Sequence, residues 1–400
     1  MVDFSLNEEQ QLLQKTARDF AENEIKPVVE EIEKMDRTKF TPWDKCRDVV
    51  KKGHALGFTT LLIPQEYGGG GLGCLENVIV QEELGAADVG IAAAYFNCSA
   101  TAPMLIIAGG TEEQKKKWLG EICSSEVHIL ASAGSEPDQA GSDTLCPYPD
   151  PRLGLRTLAR REGDEYVING CKSGFITNAG VAKSYYVQAR SDLDKPPLES
   201  TSIFYVPAGL PGFKIGKREE LIGWKTAHNA EVYFEDMRVP KECLLGEEGH
   251  GLPIFVIHGL PYIGTGFAAV YVGLARAAYE YALDYAKQRV SWLVPIINHQ
   301  AVGAMLADMF VDYQAARLMV WDSAYAADSK AGMSAGIKAI SAKTFATEVA
   351  IKNAQNCVKI LGSYGIATAY KAGKYLCDAW IGYSCDGTNT VLRLQLVNFL

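Results

Sequence analysis

The chain has 400 residues, of which 48% are apolar and 22% charged, with a formal net charge of -9. That is enough apolar material for a large core spread over two or three domains, and the negative balance opposes counterion-release binding to nucleic acid. Its 10 cysteines form no C-x-x-C pair and have no spaced histidines beside them, so neither a metal site nor a redox dithiol is signalled, and reduced thiols in a cytoplasmic protein fit best.

In chain order, Ser5 and Glu8 form a capping-box pattern, and Leu12, Leu13, Ala17, Phe20 and Ala21 follow at helical spacing. The acids near the N-terminus run straight into this pattern, unlike the basic and then apolar design of an export signal. Helical periodicity continues to about Ile122, which predicts an all-α domain over 1–126. Gly68, Gly70 and Gly73 match a dinucleotide-binding spacing, but no parallel βαβ unit surrounds them, and a glycine-rich turn between helices is the better reading. From Val127 to Val239 short runs of β-formers alternate with turn pairs such as Gly163-Asp164 and Pro211-Gly212, which predicts an antiparallel β-barrel or sandwich over 127–240. Helical spacing then returns over 267–288, 299–328 and 335–361, which predicts a four-helix bundle over 241–400. The fold class is therefore α+β, in the order α, β, α. The uncharged stretch from Gly251 to Ala275 is long enough to cross a bilayer, but Pro253, Pro261 and His258 interrupt it, so it reads as a buried core helix with no membrane span.

Five motifs carry chemistry. Ser135-Glu136-Pro137, followed by Gly141-Ser142-Asp143, opens the β block; Phe175-Ile176-Thr177-Asn178 lies further along it; and Arg289, Ser291 and Trp292 precede His299-Gln300. Lys359 to Gly365 and Asp386-Gly387-Thr388, with Arg393 seven positions after Asp386, complete the set. In this order they resemble the acyl-CoA dehydrogenase superfamily from Leu6 to about Leu394. The resemblance implies a bound FAD. Ser132, Gly134, Ser135, Gly141 and Ser142 would face the flavin, Ser142 also lying near the thioester. Phe175 and Ile176 would pack on the ring while Thr177 bonds N5, because a reduced flavin needs fixed donors where its charge gathers. The resemblance makes Thr388, Thr390 and Trp292 further cofactor residues; Arg289 would reach the FAD pyrophosphate of a neighbouring subunit, implying a homotetramer, and the segment with Lys359 and Gly362 would face the adenine end. Phe175 stands where Trp is commoner, one residue is inserted between Pro137 and Gly141, and Lys359 and Ser363 depart from the family's Gln and Gly.

The catalytic position is the clearest departure. Asp386 occupies the place of the family glutamate that removes the substrate α-proton as hydride leaves for the flavin, and its side chain is one methylene shorter. The segment from Leu260 to Gly264 has no charge where many members hold one for pantetheine. Asp88 is a second candidate base, for a proton remote from the α-carbon. Tyr95, Phe96, Tyr262 and Ile263 would shape a short, wide acyl pocket, with Gly387 and Arg393 as further substrate residues. The implied activity is dehydrogenation of a short, branched or alicyclic acyl-CoA, with electrons passing to an electron-transfer flavoprotein. A nitroalkane-oxidase-like enzyme, which also places Asp at this position, is the alternative, and a scaffold without turnover is a third.

Overall fold

The computed structural model describes residues 5–35, 41–124, 126–138 and 148–398. The first helix, α1 (Glu8–Phe20), is closed by a capping box, but the box is built on Asn7: its Oδ1 accepts from the Gln10 N–H at 2.8 Å, and Gln10 returns the bond to the Asn7 N–H at 3.1 Å. The expected Ser5–Glu8 box is displaced by two residues, because Asn and Ser cap almost equally well and both pairs satisfy the same spacing.

Helices α2 (Lys26–Ile32), α3 (Trp43–Ala55), α4 (Cys74–Ala87), α5 (Val89–Phe96), α6 (Ala102–Gly109) and α7 (Glu112–Ile122) complete the first block. Gly68 to Gly73 form the turn that leads into α4, as their spacing between helices implies. After the short turns α8 (Pro197–Ser200) and α9 (Gly251–Ile254), the C-terminal block contains α10 (Leu260–Gln288), α11 (Gln300–Asp328), α12 (Met333–Leu361), α13 (Ala372–Ser384) and α14 (Asn389–Val397). The apolar stretch that begins at Gly251 is mostly buried, and α10 forms the spine of this bundle. It crosses α4 at a pair of glycines: a Cβ on Gly85 would sit 2.3 Å from the Val270 carbonyl oxygen, and one on Gly273 would sit 2.1 Å from that of Glu82. Only glycine permits backbones to approach this closely. Around the crossing, Glu82 and Glu83 are paired with Arg18, Arg276 and Arg317, which neutralises the charges taken out of water.

Between the helical blocks lie β1 (Leu130–Ala133), β2 (Leu158–Glu162), β3 (Glu165–Thr177), β4 (Ser184–Arg190), β5 (Thr201–Pro207), β6 (Phe213–Arg218), β7 (Asn229–Pro240) and β8 (Leu244–Leu245). They make one sheet, ordered β6-β7-β3-β2-β4-β5-β8, with β1 paired to β4. The expectation of an antiparallel barrel or sandwich is corrected in two respects. The sheet is mixed, since β1 and β2 both meet β4 in parallel, and it is open. Closure needs the edge strands to pair along their length, and the two residues of β8 are too few. The long strand β3 carries a register shift against β7 between Lys172 and Ile176, a bulge that re-aims the residues between them.

Candidate active site

A cleft of about 780 Å3 opens where the three blocks meet. Helix α5 contributes Ala93 and Phe96 to its wall and the residue that caps it contributes Asn97, while the β block contributes the loop from Gly134 to Asp138 and the end of β3. Leu260, Ile263, Gly264 and Phe267 come from α10, and the floor is the turn from Ser384 to Thr388.

That turn follows from local chemistry. Helix α13 ends at Ser384, and Asp386 and Gly387 both take left-handed backbone, with φ of +49° and +88°. Gly enters this region freely, and Asp is among the few other residues that tolerate it. The Asp386 carboxylate opens onto the cleft and has no hydrogen-bond or ion-pair partner among the described residues. Although open to the cleft, it lies at the bottom of it; loss of solvation pushes its carboxyl up to about 6, opposed by the charge of Lys343. Lys343 itself is buried, and its Nζ donates to the Gly387 carbonyl at 2.6 Å and to Asn389 Oδ1 at 2.9 Å.

The loop from Gly134 to Asp138 is fixed from behind. Lys172, fully buried at the bulge, donates to Glu136 Oε1 at 2.8 Å, to the Gln188 carbonyl at 2.7 Å and to the Gly134 carbonyl at 3.1 Å. Glu136 also accepts from the Arg156 and Thr157 N–H groups at 2.6 and 3.0 Å and from the Thr157 hydroxyl. Burial works against the ionised carboxyl, yet Lys172 and these donors together hold it below the usual range. The Ser173 N–H donates to the Ser135 carbonyl at 2.9 Å, clipping the loop to β3. Beside it Phe175 projects into the cleft with 63% of its surface free, and Thr177 ends the strand.

Of the residues picked out in the sequence, Ser132, Gly134, Ser135, Phe175, Ile176, Thr177, Phe96, Ile263, Asp386, Gly387 and Thr388 line this one cleft. Gly141 and Ser142 lie outside the described residues. Asp88 does not reach the cleft, which removes the expected second base. It caps α5 by accepting the Ile91 N–H at 2.8 Å, accepts the Thr226 hydroxyl, and pairs with Lys374 at 2.8 Å with no exposed surface. Lys374 also meets Asp378, whose Oδ1 accepts the Trp224 N–H at 2.7 Å. Tyr95 is likewise turned away, its hydroxyl donating to the Val49 carbonyl at 2.7 Å, and Tyr262 donates to the Ala327 carbonyl at 3.4 Å. Arg393 is paired with Glu348 at 2.5 Å, and Thr390 is bonded to the Tyr383 hydroxyl at 2.9 Å. Arg289 stacks at 5.8 Å from the Tyr364 ring, and Trp292 stands 87% exposed on the hairpin Val290–Pro295. Lys359 donates to Asn356 at 3.2 Å and Gly362 ends α12 with φ of +60°; none of these four lines the cleft.

Three family descriptions match in order: the N-terminal domain of acyl-CoA dehydrogenase over residues 7–126, its middle domain over 131–237 and its C-terminal domain over 255–400. The chain belongs to the acyl-CoA dehydrogenase family. It is 36% identical over 399 residues to a short-chain-specific acyl-CoA dehydrogenase of Clostridium acetobutylicum, covering 99% of this chain and 98% of that one. Among solved structures, butyryl-CoA dehydrogenase of Megasphaera elsdenii superposes with a TM-score of 0.90 at 31% identity, covering 100% and 99% of the two chains. A chain from the structure of the electron transferring flavoprotein of Acidaminococcus fermentans superposes with a TM-score of 0.89 at 34% identity, with the same coverage.

Acyl-CoA dehydrogenases are FAD-dependent oxidoreductases, and the cleft fits a flavin. Ser173 Oγ and Gln188 Oε1, both on residues of its wall, and the Thr177 hydroxyl have no hydrogen-bond partner among the described residues. Unpaired polar groups flanking an apolar slot call for a flat ligand with donors and acceptors on one edge, as an isoalloxazine has. Lys343, Lys172 and Glu136 were missed as site residues, because their partners are distant in sequence.

Proposed function

We propose that this enzyme dehydrogenates a short, branched or alicyclic acyl-CoA, with Asp386 as the base. The carrying observation is a carboxylate at the floor of the cleft that has no partner among the described residues; loss of solvation pushes it up to about 6, so that it is ionised at neutral pH yet basic enough to accept a proton. When bound, FAD supplies the acceptor for the hydride that leaves as the proton is taken. Thr177 would then orient the ring, Phe175 would cover it, and Gly134, Ser135 and Thr388 would bound the rest of the cleft.

The compact acyl group is supported by aromatic walls. Phe96 meets Phe267 edge-on at 5.8 Å between centroids and Trp224 meets Phe267 at 6.2 Å, closing the cleft with rings rather than with an open channel. The similar chains from C. acetobutylicum and M. elsdenii act on short acyl groups by name, which agrees. The uncharged residues Leu260, Ile263 and Gly264 along one wall leave pantetheine to apolar packing. Arg289, Trp292, Lys359 and Gly362 would serve the FAD of a neighbouring copy in a homotetramer, and an electron-transfer flavoprotein would take the electrons onward.

Anaerobic mixing of the yellow holoenzyme with candidate substrates tests the reading. Bleaching of the flavin by butyryl-, isobutyryl- or cyclohexanecarboxyl-CoA is expected, and should vanish in Asp386→Ala while FAD stays bound. Bleaching by nitroethane alone would instead assign the nitroalkane chemistry that Asp at this position also permits, and undiminished reduction in Asp386→Ala would remove the base assignment.

A further inference from the structure

We infer that Lys343 is the positioning residue of the catalytic turn: its ammonium, bridging the Gly387 carbonyl and Asn389, holds Asp386 in its left-handed conformation with the carboxylate aimed into the cleft. This rests on the proposed role of Asp386. Four observations converge. Lys343 lies on the middle of α12 and is buried, a placement that is rare for lysine unless its protons are used. Two of the three are used at 2.6 and 2.9 Å, and the ammonium also lies 5.8 Å from the centroid of Phe267, a ring of the cleft wall. Asn389, fully buried, is in turn bonded to the Thr347 hydroxyl at 2.9 Å, one helical turn along α12 from Lys343. The backbone between Cys385 and Asn389 is therefore tied to α12 at both its carbonyl and its side-chain end. Asp386 has no side-chain tie among the described residues, so its direction is set by this turn.

The same lysine shapes the charge seen by Asp386. Around that carboxyl stand Lys343 from α12, Cys385 on the turn itself, Tyr186 from β4 and Tyr271 from α10. Burial pushes the two phenols and the thiol upward, so they stay neutral, and Lys343 is the only cation among them. Burial also draws Lys343 down to about 8, against the pull of Asp386, Cys385 and Glu348, and Glu348 is already paired with Arg393. At neutral pH the lysine is thus charged, and it opposes the desolvation that raises Asp386.

The test is the pH dependence of flavin reduction by butyryl-CoA in anaerobic single turnover, with the melting midpoint of the holoenzyme recorded alongside. In the wild type the rate constant should rise through about 6, as the base deprotonates. In Lys343→Met the limb should move up by about one pH unit as the favourable charge is lost, and the plateau should fall by roughly 10- to 100-fold as the turn loosens. Lys343→Arg keeps the charge and should hold the limb near its wild-type position; Lys343→Gln keeps a donor without charge and should move the limb as Met does. Should Met fail to fold, the Arg and Gln pair decides the matter. A limb that stays in place in folded Met and Gln variants, with only the melting midpoint lowered, would reduce Lys343 to a structural role. An Asp386→Asn variant that keeps both rate and limb would overturn the base assignment itself, whatever Lys343 does.

Discussion

Replacing Lys172 by methionine removes the ion-pair partner of Glu136 while leaving the volume of the side chain nearly unchanged. The carboxylate keeps three donors, the Arg156 and Thr157 N–H groups and the Thr157 hydroxyl, but stands unneutralised in a buried site. Breaking a buried pair from one side costs about 3–5 kcal/mol, and the abandoned Gly134 and Gln188 carbonyls place this case in the upper half of that range. Most of the loss should be local, because the pair fastens the loop from Gly134 to Asp138 to β3, and that loop bounds the cofactor cleft. Denaturant unfolding followed by tryptophan fluorescence, with and without FAD, gives the stability; quenching of flavin fluorescence gives the cofactor affinity. We expect FAD to bind at least about tenfold more weakly, which is about 1.4 kcal/mol. Adding Glu136→Gln removes the stranded charge and keeps an acceptor for the same donors, so the double variant should recover about half of the lost stability. A double variant whose loss equals the sum of the two singles, or a Met variant within about 0.5 kcal/mol of wild type, would refute the account of this pair as a coupled anchor.

Asp386→Glu extends the base by about 1.5 Å and places a residue less suited to left-handed backbone at a φ of +49°, so it should fold with a loss of about 0.5–1 kcal/mol and shift the preference among acyl chains, read as kcat/KM across a substrate series. The raised pKa of Asp386 also carries a sign for stability: the group is held protonated more tightly in the fold than in the open chain, so its contribution is largest in acid and falls as pH rises from about 4 through about 6, which acid-to-neutral melting of Asp386→Asn against wild type measures. Asp88→Asn should lower stability by about 1–3 kcal/mol through the Lys374 pair yet leave the rate of flavin reduction within about threefold, and a complete loss of reduction in a folded variant would return Asp88 to the chemistry.

The order of the blocks and the place of Asp386 were legible because each is written locally, in spacing and in a helix-ending Asp-Gly pair. What could not be read was which neighbours share a face. Phe96 reaches the cleft and Tyr95 does not, and the helix period explains why: Ala93, Phe96 and the capping residue Asn97 stand at i, i+3 and i+4 along α5 and its end, so Tyr95 points elsewhere. The same rule separates Leu260, Ile263 and Gly264 from Tyr262 on α10. Asp88 at a helix start and Asp386 at a helix end look alike as free carboxylates; only the fold brings Lys374 to the one and, among the described residues, no partner to the other. Strand pairing is equally non-local, which is why a run of short strands suggested closure while β1 and β2 run parallel to β4.

The glycine crossing of α4 and α10 bears on how the enzyme breathes. With backbone seated against backbone at Gly85 and Gly273, the first and last blocks have no side-chain layer between them that could shear or repack at that point. At that point one block moves against the other only by parting backbone from backbone, with no softer side-chain contact to yield first. A ligand meets at the mouth of the cleft a loop from Gly134 that is itself anchored through Glu136 and Ser135, so that access calls for local loosening of bonds that the fold must then remake.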